Sequence, residues 1–380
     1  MVRIVREKEE NFSISKVELF QIRLPLKSPF KTSYGVLTEK AFDIICLTSE
    51  SGHIGYGELV AFETPDYIEE TLPNSRLIIK DHLLPLILNR KIENPTQIWE
   101  WFQVVRGNYM AKSAIETAVW DLYAKITGQS LGVILESATD QLEVGVSMGM
   151  VASTEELLKR VSDYVEEGYT RVKLKIKPGY DIIPLSAIRK KFPNLMLMAD
   201  ANSAYDLSHL TDLKALDSLN LVMIEQPFAA DDFLDHAILQ KELNTPLCLD
   251  ENIRTVNDCR VAVALGSCRS INLKIPRVGG ITEALKIIDY CRDKQILVWL
   301  GGMFESGVGR ALNLQLASRT EFGLPGDISA SDRYFYEDIL EKPLLMEAGK
   351  MKVPQGLGIG VTVNGAFLQK NNLSYTWLKR

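Results

Sequence analysis

What this 380-residue chain lacks narrows its possible roles first. Its five cysteines (Cys46, Cys248, Cys259, Cys268 and Cys291) form no CxxC pair. An odd, scattered set is no disulfide framework and fits reduced thiols in a cytoplasm. There is no run of Lys and Arg, and the net charge is −6, so nucleic acid is not an expected partner. The longest apolar runs, such as LLPLIL at 83–88, are too short to span a bilayer and are broken by proline, so no membrane is expected either. Residues 1–16, MVRIVREKEENFSISK, lack the apolar centre of a signal peptide. No GxGxxG follows a first strand, which weighs against a dinucleotide site. No Walker-type loop is present, which weighs against phosphoryl transfer.

What is present is ample apolar material: 46% of the residues are hydrophobic, enough for a large core and more than one domain. Residues 16–60 alternate apolar and polar side chains between Gly and Pro turns. KVELFQIRLPL, AFDIICLTSE and GHIGYGEL read as antiparallel strands. The period then changes. AKSAIETAVWDLYAKITG at 111–128 places apolar residues at 111, 114, 115, 118, 119, 122, 123 and 126, an amphipathic helix stopped by Gly128. Residues 1–135 thus read as an α+β domain.

From 136 to 330 short apolar runs recur, each followed by a helical stretch. They are LEVGVSM, VKLKI, LMLMAD, LVMIEQ, PLCLDE, SINLKI and ILVWLG, with a weak eighth near RTEFGL at 319–324. Alternating strand and helix implies a parallel sheet, and this number of units suggests an α/β fold of the (β/α)₈ TIM-barrel type. An open doubly wound sheet is the alternative. Residues 331–380 have Gly-rich turns and strand-like pieces, and are expected to return to the first domain as part of a capping unit.

The ends of the runs carry the chemistry. Lys175, Asp200, Glu225 and Asp250 follow one another at intervals of 25 residues, and Lys274 comes 24 later. Each closes a strand, and in a barrel those ends converge on one mouth, where sites of this fold lie. Three carboxylates without histidine are hard oxygen ligands, which favours Mg²⁺, with Mn²⁺ as a substitute. The four histidines (His53, His82, His209 and His236) fall at none of these ends and are expected at the surface or in caps. Strands 2 and 6 of a closed barrel of eight face each other across the mouth. Lys175 and Lys274 would therefore meet opposite faces of a carboxylate substrate, an arrangement suited to abstracting the proton beside the carboxylate. Lys173, on the same strand face as Lys175, is expected to supply like charge that favours a neutral base; an ion pair with one of the carboxylates is the other reading, and the two are compatible.

At these residues the chain resembles the enolase superfamily, muconate-lactonizing subgroup: KLK at 173–175, DAN at 200–202, EQP at 225–227, DE at 250–251 and INLK at 271–274. PFKTSYG (29–35), GVSMGM (145–150), KLKIKPGYD (173–181), PRVGG (276–280), GGMFESGVGR (301–310) and LPGDISASDRY (324–334) are similar to the group of o-succinylbenzoate synthases that also act as N-acylamino acid racemases. The resemblance implies a capping domain closing over the barrel mouth. It implies a Mg²⁺ site at Asp200, Glu225 and Asp250, and a Lys175/Lys274 acid–base pair. A supporting ring would comprise Lys173, Asn202, Gln226 and Glu251. Substrate contacts would come from Ser147, Gly302, Met303, Arg277, and Phe30 and Tyr34 of a lid loop. The implied activity is syn-dehydration of 2-succinyl-6-hydroxy-2,4-cyclohexadiene-1-carboxylate in menaquinone biosynthesis, with a small-molecule carboxylate as substrate and a dimer or octamer as the assembly. A dedicated racemase, a cycloisomerase, a dipeptide epimerase and a non-catalytic barrel remain as alternatives. LPGDIS has Asp327 but no second Asp two residues on, which counts against the epimerase.

Overall fold

The computed structural model describes residues 11–31, 35–88 and 90–379. Three strands, β1 (Ile14–Lys31), β2 (Val36–Ser49) and β3 (Ile54–Leu59), form an antiparallel meander. Its two faces serve two cores. Phe20, Ile22, Leu24, Phe42 and Ile44 join the core shared with the barrel, whereas Val17, Leu19, Ala41, Ile45 and Leu47 pack on the N-terminal helices. Burial on both faces is why β2 reads as an almost unbroken apolar run.

The helix Tyr109–Ile126 lies flush on β3 because Gly55 and Gly57 have no side chains. A Cβ at Gly57 would sit 2.0 Å from the Ala114 carbonyl oxygen. The expected amphipathic helix is in fact buried on its polar side as well. Glu116 accepts from the backbone N–H groups of Ile281 and Thr282, both at 2.8 Å, and from the Trp120 indole at 2.8 Å. Its polar face is thus an interface that caps the barrel helix Ile281–Lys294. Burial pushes the Glu116 carboxyl up to about 7. Glu116→Ala removes these acceptors from buried donors. It is expected to destabilise the protein by about 2–3 kcal/mol, visible as a lower denaturation midpoint. An unchanged midpoint would mean that water replaces the carboxylate.

The barrel begins with a split. LEVGVSM forms two strands: β4 (Gln141–Glu143), and the parallel strand β5 (Val146–Met148). β6 (Arg171–Lys175), β7 (Met196–Asp200), β8 (Ile224–Glu225), β9 (Leu247–Leu249), β10 (Ser270–Leu273) and β11 (Leu297–Leu300) follow in consecutive parallel order. The weak eighth run makes no regular strand. Two parallel bridges, Val298–Phe322 and Val144–Gly326, link it to both edges of the sheet. Gly323, Pro325 and Gly326 explain this: proline lacks a donor and glycine weakens a ladder. Arg171 reinforces the seam by donating to the Pro325 carbonyl from Nε at 3.0 Å and Nη2 at 2.9 Å.

In the tail, β12 (Met346–Glu347) and β13 (Lys350–Lys352) pair with β4, and β14 (Ser374–Lys379) adds antiparallel to β1. All five cysteines are free and buried. Among the described residues, no helix is long and apolar enough to cross a membrane. His53 and His82 are exposed, and His209 is bonded to Asp206. His236 departs from the expected surface position. It is fully buried, with Nδ1 2.6 Å from the Asp232 carbonyl, and burial lowers its pKa to about 4.

Candidate functional site

Strand β6 builds one wall from a period of two. Arg171, Lys173 and Lys175 alternate with the core residues Val172 and Leu174, so all three cations point inward. Lys173 Nζ lies 3.0 Å from Asp200 Oδ2, 2.8 Å from Glu225 Oε2 and 2.9 Å from Asp327 Oδ2. Below it the Trp299 ring lies 4.8 Å from the ammonium, part of a plug with Met198, Met223 and Cys248. Burial opposes the charge on Lys173, but the carboxylates of Asp200, Asp327 and Glu225 outweigh it and raise its pKa well above the ordinary range. Lys173 is therefore the hub of an ion cluster. The expected pairing of Lys173 with carboxylates is what the geometry holds, and it keeps Lys173 a cation on the same strand face as Lys175.

Lys175 Nζ donates to Asp200 Oδ2 at 2.6 Å and to Asn202 Oδ1. Burial works against ionisation of Asp200, yet Lys173 and Lys175 hold its carboxyl well below the usual range. Asn202 Nδ2 donates to Glu251 Oε1 at 3.0 Å, and Asn272 Nδ2 to Glu225 Oε1 at 2.6 Å. Gln226 Oε1 accepts from the Asp250 backbone N–H at 2.9 Å. Asn202, Gln226 and Phe304, which follow three of the strands, have φ of 41°, 41° and 59°. Left-handed backbone in non-glycine residues, gathered at the strand ends, is strain held by surrounding contacts.

Across the mouth, Lys274 Nζ donates to Asp250 Oδ2 at 2.9 Å and to the Tyr67 hydroxyl at 3.0 Å. Burial opposes its charge, and Tyr67, Glu251 and Glu225 raise its pKa above the ordinary value nonetheless. Tyr67 in turn donates to Asp250 Oδ1 at 3.1 Å. Arg277 was expected against substrate. It is instead 1% exposed behind Asp250, bonded through Nη1 to Asp250 and Tyr67 and through Nε to the Ile253 carbonyl at 2.8 Å. Arg277 follows the strand in a turn and is not among the residues that line the cavity of Lys175 and Lys274.

Lys173, Lys175 and Lys274 line one cavity with Ser147, Asn202 and Asp327 at its base and sides. Gly302, Met303 and Phe30, expected to contact substrate, also line this cavity. Gly302 is required there, since a Cβ would meet the Asp327 carbonyl oxygen at 2.4 Å. Tyr34, assigned to the lid, lies outside the described residues. Residues not foreseen include Tyr67, Phe62 and Phe304. Tyr67 sits in an irregular loop and leaves no periodic signal. Arg171 and Asn272 had one: each lies two residues from an inward lysine or its strand neighbour, on the same face.

The carboxylates of Asp200, Glu225 and Asp250 are 0–1% exposed and lie behind the ammonium groups. Each is turned onto a Lys or Arg, and among the described residues no three acidic, His or Cys side chains converge closely enough to hold a metal ion. The donor chemistry nevertheless fits a hard divalent cation, since all three side chains offer oxygen. Two further buried oxygens nearby, Glu251 Oε2 and Asn272 Oδ1, lack a hydrogen-bond partner among the described residues. Lys173→Met would leave Asp200, Glu225 and Asp327 buried without their shared cation. A loss of about 3–5 kcal/mol is expected, read from the denaturation midpoint at pH 7. A loss below about 1 kcal/mol would show that the cluster does not depend on Lys173.

Comparison with known proteins places this geometry among relatives. Residues 14–135 match the mandelate racemase / muconate lactonizing enzyme N-terminal domain, and residues 156–367 match the enolase C-terminal domain-like family. An o-succinylbenzoate synthase of Enterococcus faecalis is 59% identical over 96% of this chain and 98% of its own length. An N-succinylamino acid racemase of Thermus thermophilus is 45% identical over 95% of this chain and 97% of its own. A solved structure of an enolase superfamily member from Listeria innocua superposes with a TM-score of 0.95 at 52% identity, covering 97% of this chain and 99% of that one.

Proposed function

Because the chain belongs to the mandelate racemase / muconate lactonizing enzyme family of the enolase superfamily, we infer that its two lysines perform proton chemistry beside a substrate carboxylate, and that it acts as an o-succinylbenzoate synthase. The observation that carries this reading is one cavity bounded by Lys175 on the second strand and Lys274 after the sixth. The names of the relatives support the substrate class.

Lys175, in its neutral form, takes the proton from the ring carbon that bears the carboxylate of 2-succinyl-6-hydroxy-2,4-cyclohexadiene-1-carboxylate. The C–H electrons form the new ring double bond, and the neighbouring C–O bond breaks on the same face. The hydroxyl departs with the proton that Lys175 returns, as water, leaving the aromatic product. Lys274 stays cationic and faces the negative charge that develops on the carboxylate oxygens. Asp200, Glu225 and Asp250 would hold Mg²⁺, or Mn²⁺ in its place. The ion would supply Lewis-acid stabilisation of that charge. Phe30, Phe304 and Tyr334, packed edge to face with ring centres 4.9–6.4 Å apart, cover the mouth and exclude water.

Racemisation of N-succinyl amino acids is a second activity of the same site. Lys175 and Lys274 approach from opposite walls, so one can remove an α-proton and the other return one to the opposite face. The Thermus relative's name supports this reading. A role in menaquinone biosynthesis and a cytoplasmic location belong to the same proposal, the latter in keeping with five unpaired thiols.

The test is paired steady-state kinetics with Mg²⁺ on the cyclohexadiene substrate and on an N-succinyl amino acid. A kcat/KM for dehydration well above that for racemisation is expected. Dominant racemisation would make the protein a racemase that dehydrates incidentally, and turnover of neither would remove the assignment.

A further inference from the structure

A second cavity adjoins the first, and Phe30, Ser147 and Tyr334 line both. Arg333 lines this second cavity. Its guanidinium carbon lies 4.9 Å from the Tyr164 ring centre and 5.4 Å from that of Tyr334, so the two rings flank it. Nη2 donates to the Ser147 carbonyl at 3.2 Å and to the Tyr164 hydroxyl at 3.4 Å. Among the described residues, buried Nε has no hydrogen-bond partner and Nη1 makes no hydrogen bond. No carboxylate among the described residues pairs with Arg333. The acid on the same cavity wall, Glu156, is held by Arg160 at 2.6 Å.

An arginine fixed between two aromatic rings, with Nε and Nη1 unengaged and no carboxylate beside it among the described residues, is a preorganised carboxylate receptor. Ser147 ties the two cavities together: its carbonyl accepts from Arg333, and its hydroxyl donates to Asp327 at 3.0 Å in the catalytic cavity. Both substrates proposed above carry a succinyl chain that ends in a carboxylate, far from the carbon that loses its proton. We propose that Arg333 binds the terminal carboxylate of the succinyl chain, and so sets the acyl specificity common to dehydration and racemisation. This rests on the reaction inferred above. It explains how one site accepts a cyclohexadiene and an amino acid: they share the end that Arg333 reads.

The test is titration calorimetry with Mg²⁺ present, using o-succinylbenzoate and 2-butanoylbenzoate, which replaces the terminal carboxylate by a methyl group. The wild type should bind the succinyl compound about 10- to 100-fold more tightly, the range of a charge-assisted hydrogen bond. Arg333→Met should bind both equally, at the wild-type affinity for the butanoyl compound, and Arg333→Lys should fall between. A wild-type ratio near one overturns the proposal, as does an unchanged ratio in Arg333→Met or an equal loss of both ligands. If Arg333→Met does not fold, the wild-type ratio and Arg333→Lys decide. Turnover by the wild type is scored separately. A retained binding ratio without turnover refutes the synthase and racemase assignment and leaves the carboxylate receptor standing.

Discussion

Replacing Lys175 with alanine is expected to lower kcat for dehydration and for racemisation by about 10³-fold or more, at the upper part of the range for loss of a general base. Both reactions begin with the same proton, so one substitution should silence both. The fold should survive. Asp200, the partner of Lys175 at 2.6 Å, keeps Lys173 at 3.0 Å, so no carboxylate is stranded. Circular dichroism and the denaturation midpoint should therefore match the wild type. Exchange of the α-proton of an N-succinyl amino acid with deuterated water, followed by NMR, should disappear for the enantiomer that Lys175 serves. Turnover within tenfold of the wild type would remove Lys175 from the base role.

Replacing Lys274 with alanine is expected to separate the two activities. Racemisation needs a proton donor and acceptor on both faces, and should fall by about 10³-fold or more. Dehydration uses the Lys175 face alone. It loses only the stabilisation that the Lys274 cation gives the developing anion, about 10²-fold on the scale of a single electrostatic contact. The ratio of dehydration to racemisation should rise about tenfold. One enantiomer of the amino acid substrate should keep its solvent exchange while the other loses it. Asp250 remains held by Arg277 and Tyr67, so collapse of the site is not expected to confuse the result. Preserved racemisation would refute the two-base arrangement.

The positions of these lysines and carboxylates were legible because strand and helix periods are local. A strand of five residues turns alternate side chains to one face whatever surrounds it, so VKLKI by itself announces inward lysines. The recurrence of ionisable residues at intervals of 24 or 25 follows from the length of a βα unit, which is also local. The same logic would have found Arg171 and Asn272 had the alternation been followed one step further. It failed for LEVGVSM, where the alternating pattern runs through two strands. Tail strand β13 claims β4 and the barrel claims β5, and no local signal marks the break.

Partner choice was not local. Tyr67 reaches Asp250 from 183 residues away. Arg277, three residues beyond Lys274, bonds to Asp250 and the Ile253 carbonyl and does not line the cavity. Lys173 was readable as an inward charge, but its three carboxylates come from three other segments of the barrel. Glu116 reads as the polar side of a surface helix until the barrel helix that it caps is set against it. The sequence by itself thus determined the elements, the inward faces and the types of charge at the strand ends, because those depend on backbone periods of a few residues. Only the tertiary structure decided which charges neutralise one another and which are left idle, as at Arg333. Those pairings depend on loop paths and burial, and in a low-dielectric interior they decide whether a buried charge is tolerated.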